Sequence, residues 1–548
     1  MLPLCYVAAA LWARQAGGPF WLWYNLDPAY FYLLDALNVL NLTPPGHIYH
    51  PGTPVQWLGA LILKIASPFT GAAAITDAAL AEPEVHLRLI STVLVLLNGA
   101  ALVVLGRIGY RAFGGPAAAL LQLAPVISMV VLKNSYPVKP EALLLVTMLA
   151  LAAVSVLSLD AGLLERRRNR FAIAFGVIAG FGVATKITAL PVFLLPLFVL
   201  GGRGGRRGAF VLYGVSAAAA FILFTLPAAG SYVDMIGYFT KISQGTGAYG
   251  GGAPGFADWD VYLKGILKLF KRPAFHVVFI LAGLILIGAW WRSRQGRPAP
   301  APEVRLLAGI WVAQLAQVLL VAKQPNAMYQ IPSFVLIPLA VVLVWRLAGG
   351  MLADRFGHLK LLAILFPLAA LTSGLALVLD GWMVGVTRPD SIEWPIWVLC
   401  VVSAIFLLPA IVLGTISPVV ASLALSRSRS TGFTVGNVYA WAAFGSIVGT
   451  FLAGFYLIDN HGTRVIIGGT ALALLAMGLV PMSLLAVGML ARRRASGRPV
   501  GSVGSVGSVR LPAAGGELHP TQLPSTGARG PGDEPGAWWF LVGCNAIV

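Results

Sequence analysis

Runs of apolar residues long enough to cross a membrane recur along nearly the whole chain, and that recurrence limits the fold more than any other feature. A transmembrane helix needs about 20 predominantly apolar residues. Such runs lie near 3–23, 85–106, 115–132, 141–159, 209–229, 274–291, 304–322, 329–346, 360–380, 395–419, 435–458 and 465–489. Only 11% of the 548 residues are charged, less than half of the ~25% found in soluble domains. The fold class this predicts is all-α: a polytopic integral membrane protein with about 12–14 transmembrane helices. The first run contains Arg14. It has no basic leader and no convincing cleavage site, so it is read as a weak span and not as a removable signal.

One further run cannot be a single span. FAIAFGVIAGFGVATKITALPVFLLPLFVLGG lies between RRRNR (166–170) and RGGRR (203–207). Basic flanks mark cytoplasmic ends, and one pass cannot have two. The sequence therefore predicts a helical hairpin over 171–200 that turns near Thr185-Lys186-Ile187. Pro191 begins the return, and Lys186 sits at the outer tip. With two passes counted there, the clusters at Arg107/Arg111, Arg292/Arg294/Arg297, Arg346/Arg355/Lys360, Arg427/Arg429 and 492–494 all fall on the cytoplasmic side. The formal net charge of +18 is then mostly topology. No basic stripe of the kind that binds nucleic acid is visible, so the expected partner is the lipid bilayer and not nucleic acid.

The opposite face collects 24–54, 133–140, Lys186, the long loop 230–273, Lys323–Met328, 381–394 and Asp459–His461. That face gathers carboxylates, histidines and isolated lysines, so it, periplasmic in a bacterium, is the expected working face. The tail differs in kind. GSVGSVGSV and the Gly/Pro-rich stretch after it cannot build a core, so the end of the chain reads as a disordered cytoplasmic tail. Its terminal WWFLVGCNAIV is too short to span. Cys5, Cys400 and Cys544 are too few and too scattered for a disulfide framework or a thiolate metal site.

Several polar residues of the outer face are candidates for chemistry. Asp27 precedes Pro28, as an N-cap precedes a Pro at N1. Its functional reading is a general base beside the bilayer, where a carboxylate is costly unless used or paired. Asp35, eight residues on, shares roughly the same helical face. His47 and His50 flank the turn PPGHIYHPGTP; without nearby Cys, Asp or Glu ligands they do not make a zinc site. An imidazole there can meet a phosphate or a sugar hydroxyl. Glu141 follows Pro140 and reads either as helix-start decoration or as a third catalytic acid. Lys133, Lys139, Lys186 and Lys323 defy the charge bias. Snorkelling explains any one of them, but the set suggests phosphate binding at the interface. GTGAYG (245–250) matches GxGxxG formally, yet it lacks the preceding strand and following helix that give the motif meaning. The surrounding glycines suggest a mobile cover for a site. Asn41-Leu42-Thr43 is read as a chance glycosylation sequon. Gly176/Gly180 and Gly445/Gly449 are read as helix-packing positions.

Two family resemblances cover different stretches. In order, NLDPAYFYLLDALN, GHIYHPGTPVQ, YPVKPEALL, GVATKITALP and AKQPNAMYQIPSFVLIPL resemble segments of the polytopic GT-C glycosyltransferases over residues 20–345. That superfamily includes protein O-mannosyltransferases and aminoarabinose transferases. The chain departs from it in one respect: Asp27 has no adjacent acid, and Tyr49 stands where a second could be. Residues 360–490, with TVGNVYAWAAFGSIVGT at their centre, are similar to the membrane region of membrane-fused spermidine synthase-like proteins. In those proteins a following Rossmann-like domain transfers aminopropyl groups. The low-complexity residues after Leu490 do not match one, so aminopropyl transfer is not expected. The domains expected are a GT-C-like 1–350, a second membrane module 351–490 and a tail 491–548.

The GT-C resemblance implies an inverting transfer from a polyprenyl-phosphate sugar to an acceptor hydroxyl of a lipid, glycan or protein. The site would lie on the outer face of the plasma (inner) membrane. It implies Asp27 as base, with Asp35 and Glu141 as further acids. Lys186, Lys139, Lys323 and His50 would hold the donor phosphate. Tyr30, His47 and Tyr329 would contact substrate. No metal ligand set is assigned, and a divalent cation (Mg or Mn) is not required. A multi-span transporter or flippase, or a catalytically degenerate fusion, is the competing expectation. The scarcity of Asp and Glu within the spans weighs against the transporter.

Overall fold

The computed structural model describes residues 1–23, 27–49, 52–202, 206–295, 302–383, 385–389, 394–427 and 431–496. The tail after Ser496 and His50 lie outside the described residues. Among the described residues the secondary structure is helical, apart from one isolated bridge between Gly245 and Pro254. Nine described helices are long and apolar enough to cross a membrane. Ala327–Val335 and Ile337–Ala348, bent by 42° at their junction, make a tenth if they are one span. The chain is thus an all-α integral membrane protein by the length and composition of its helices. It divides into two compact units, Met1–Leu347 and Ala348–Val548.

Among the described residues fewer spans form than the 12–14 expected: neither arm of the 171–200 hairpin is among these helices, and two single runs break. The first run yields the helix Leu2–Ala16 and stops at Gly17-Gly18-Pro19, with Gly18 at φ +75°. Arg14 is hydrogen-bonded within the first unit. Its guanidinium donates to Arg88 O (3.0 Å) and to Thr92 Oγ1 (2.8 Å). The run at 115–132 breaks into Gly115–Gln122 and Met129–Asn134. Pro125 lies in the gap, where it cannot donate to a continuing helix. The loop expected over 230–273 is also largely helical, with Tyr232–Gln244 and Trp259–Phe270 in it.

In the first unit the 31-residue helix Pro83–Phe113 packs against Leu2–Ala16 and Pro140–Leu157. Asn98 fastens this contact by donating to Ala142 O (2.9 Å) inside the core. The helix Arg168–Thr185 lies along Arg206–Thr225. A Cβ on Gly176 or Gly180 would collide with the backbone of Tyr213 or Ala217, so those two glycines do serve close packing. The chain breaks at Lys186, whose backbone is extended (φ −158°, ψ 117°), and returns as a 3-10 segment Ile187–Leu194 and a short helix Leu195–Leu200. The return thus begins before Pro191. Phe193 fills the place of a side chain at Gly182, which pins the two arms of the hairpin together. Lys186 is not an exposed tip, because the surrounding helices bury it.

In the second unit His358–Met383 packs against Trp394–Arg427 and Thr463–Ser496. Phe366, Ala369, Ile416, Val420 and Leu474 fill the contact. The helix Thr463–Ser496 continues through 491–496, where the tail was expected to begin. A Cβ on Gly449 would meet only open space, so the packing role expected of it is not made within the described chain.

Candidate functional site

Among the described residues of the first unit four acidic or basic side chains lie buried: Lys139 (2% exposed), Glu141 (1%), Lys186 (3%) and Asp35 (4%). Such groups are stable in a membrane protein only when paired or hydrogen-bonded. Lys139 and Glu141 stand at the start of the helix Pro140–Leu157, with Pro140 between them. Pro suits the first turn, where its missing N–H costs nothing, and the positive end of the helix favours a carboxylate there. The Lys186 ammonium donates to Glu141 Oε1. Lys139 also lies in the field of Glu141 and Lys186. Burial pushes the Lys139 ammonium below the ordinary lysine range, and Glu141 opposes that shift. Two lysines and one carboxylic acid make up this buried trio.

Tyr329 closes one side. Lys186 Nζ lies 5.0 Å from the centre of its ring, a cation–π distance. Gln317, inside the span Pro302–Val321, donates to both Tyr329 O and Thr188 O at 2.7 Å. It thereby fixes Tyr329 against the return of the hairpin. The Tyr249 phenol lies close enough to act on that of Tyr329. Tyr249 belongs to the glycine-rich turn and holds a positive φ of 54°, which is uncommon for a side chain of its size.

The second half of the site is built on Asp35. Its carboxylate accepts from Gly46 N (2.8 Å), His47 N (3.2 Å) and Gln56 Nε2 (2.8 Å). Gln56 Nε2 also donates to His47 O (2.7 Å). Burial pushes the Asp35 carboxyl above the usual carboxylate range, and the donors of Gly46 and His47 pull the other way. These bonds hold the turn after Thr43, and with it the His47 ring, which packs against Phe31, Tyr32 and Tyr49. His47 Nε2 meets Asp27 Oδ1 at 3.4 Å, with the side chains 16% and 31% exposed. Asp27 is therefore not the helix cap its position suggests. The helix Ala29–Leu40 has Pro28 at that place and no side-chain cap. The Asp27 carboxylate acts electrostatically on Lys139, Tyr32 and Tyr238, so the rim pair and the buried floor belong to one place.

The structure thus brings together Asp27, Asp35, His47, Lys139, Glu141, Lys186 and Tyr329. Two candidates lie elsewhere. Lys323 Nζ donates to Ile242 O (2.6 Å) and sits over Phe256, where it secures the start of the glycine-rich turn. Tyr30 donates to Glu84 Oε1 at 2.6 Å. Burial, with Glu84 beside it, pushes its phenol up to about 12. Glu84 also accepts from Phe20 N and Trp21 N, so this contact ties down the first connection. Gln56, Gln317, Tyr238 and Tyr249 are not among the residues the sequence nominates, and Tyr49 enters only as the place where a second acid could stand. The two glutamines carry a legible signal, an amide within an apolar run, which must find partners when buried. Among the described residues no three His, Cys, Asp or Glu side chains converge in a way that could hold a metal ion. No family model, curated protein or solved structure matches the chain.

Proposed function

We propose that the chain is a membrane glycosyltransferase that moves a sugar from a polyprenyl-phosphate donor to an acceptor hydroxyl. One observation carries this reading: a half-open Asp27–His47 pair adjoins a buried floor of Lys139, Glu141 and Lys186. Inverting transfer needs a base at the acceptor and fixed cations at the leaving phosphate. Asp27 takes the acceptor proton while the acceptor oxygen attacks the anomeric carbon. The bond from that carbon to the phosphate oxygen breaks, and the lipid phosphate leaves with both electrons. Fixed charges are most effective in such a low-dielectric place because they need no reorganisation during the reaction. The Glu141 carboxylate holds the Lys186 ammonium in place and lies beside Lys139, so the two lysines are the cations offered to the anion.

His47 orients the Asp27 carboxylate. Asp35 and Gln56 act through His47 and are positioning residues. Tyr329 and Tyr249 form the wall beside the lysines. Lys323 and Tyr30 have no part in this reading. The outer face of the plasma membrane is its natural setting, because the lipid-linked donor and the half-open rim then share one surface.

The test is transfer by the purified protein in nanodiscs, with mass spectrometry of co-purifying lipids. Asp27→Asn should lower turnover by about 10²–10⁴-fold, the usual contribution of a general base, with an unchanged melting temperature. Lys186→Gln should deplete a bound polyprenyl-phosphate sugar relative to bulk phospholipid. Full turnover by Asp27→Asn, or an equal donor content in Lys186→Gln, overturns the assignment.

A further inference from the structure

The helix Trp259–Phe270 has three distinct faces. Asp258 starts it by accepting from Asp260 N and Val261 N. Its inward face is fixed to the end of the span Pro302–Val321. Tyr262 Oη donates to Leu319 O at 2.7 Å, and a Cβ on Gly265 would collide with Ala322 O. A second face carries Trp259 (64% exposed), Leu263 (56%) and Leu267 (65%), spaced four apart and hence in one row. Beside that row run Lys264 and Lys268, followed by Lys271 and Arg272, all exposed.

We propose that this helix lies in the plane of the membrane surface and gathers anionic, phosphate-bearing lipids of the bilayer. An exposed apolar row beside a basic row is the pattern of an interfacial helix, which sinks one face among acyl chains and keeps the other at the headgroups. The anchor on Leu319 and Ala322 puts the helix at the end of a span, which is the depth this pattern requires. Topology does not account for the four cations. The next helix, Pro273–Arg294, ends on Arg292 and Arg294, so the cluster before it sits at that helix's opposite end, against the inside-positive bias. The charge also selects among occupants. A second copy of this surface would bring like charges together along the row, whereas anionic headgroups complement it. Lys323 binds Ile242 O next to this helix's own contact at Ala322, so the lipids gathered would stand near the glycine-rich turn. The inference does not depend on the transfer reading.

The experiment uses the full chain in mixed phosphatidylcholine–phosphatidylglycerol nanodiscs. Cys5, Cys400 and Cys544 are changed to Ser, and an environment-sensitive dye is attached to Leu263→Cys. Doxyl-labelled lipid should quench the dye and aqueous iodide should not. In parallel, the quadruple variant Lys264→Gln/Lys268→Gln/Lys271→Gln/Arg272→Gln should lower the phosphatidylglycerol recovered with the protein by about tenfold or more, given four basic groups near the surface. Exchanging Lys for Arg at the first three positions should retain it. A dye quenched from water, or phosphatidylglycerol recovered equally with wild type and the glutamine variant, overturns the proposal. The dye measurement keeps all four charges, so it decides even if the glutamine variant folds poorly.

Discussion

The Glu141–Lys186 pair makes the sharpest test of how the core of the first unit is held. Both side chains are almost wholly buried and joined across 45 residues of sequence. Removing one partner of a buried pair costs about 3–5 kcal/mol, because the other charge is left uncompensated. The structure orders the two single variants. Lys186→Met leaves Glu141 with Lys139 still nearby, so its cost should fall near the lower end, about 3 kcal/mol. Glu141→Gln leaves two buried lysines within each other's field and takes away the carboxylate between their charges, so its cost should fall near the upper end, about 5 kcal/mol. Adding Lys186→Met to Glu141→Gln removes one unpaired cation. The double variant should therefore be no less stable than Glu141→Gln alone, with an interaction energy of about 3 kcal/mol or more in size. The assay is reversible unfolding in mixed micelles, followed by tryptophan fluorescence. Losses that simply add, or single losses below about 1 kcal/mol as for exposed pairs, would refute the claim that a buried, mutually dependent pair organises this floor.

The other predictions separate holding contacts from acting ones. Asp35→Asn weakens charge-assisted bonds to Gly46, His47 and Gln56. It should cost about 1.5–3 kcal/mol of stability and lower kcat more than it raises KM, as steady-state transfer would read. Tyr30→Phe breaks only the bond to Glu84, so it should cost about 1 kcal/mol and leave donor retention unchanged by lipid mass spectrometry. Gly180→Val puts a branched side chain into the backbone of Ala217. It should lower the yield of folded protein sharply in size-exclusion profiles, while Gly449→Val, which meets open space, should not.

Much of the fold was legible because a bilayer imposes one rule on every span. Length and apolarity alone identify helices such as Pro83–Phe113 and Pro302–Val321. Where the reading failed, short-range chemistry interrupted an apolar run without lowering its hydropathy. Pro125 splits 115–132, and Gly17-Gly18-Pro19 cuts the first run short. The reverse error occurred at 259–270. The glycines of 245–255 make the whole stretch look like loop and mask the three-faced periodicity that follows them.

The candidate site was legible for a different reason, and only in part. A charge in apolar surroundings must be paired or used, so an isolated Asp27, Lys139, Glu141 or Lys186 draws notice wherever it stands. The same rule is silent on which partner each one meets. It treated Lys323 like Lys186, although Lys323 satisfies a carbonyl at the edge and Lys186 a buried carboxylate. The difference lies in the hairpin: its extended break at Lys186 and the Phe193–Gly182 contact carry one lysine inward to a helix start 45 residues earlier. Pairing at that distance is a property of the packed chain. The charge bias along the sequence can nominate residues for it, and only the helix contacts decide which of them share a site.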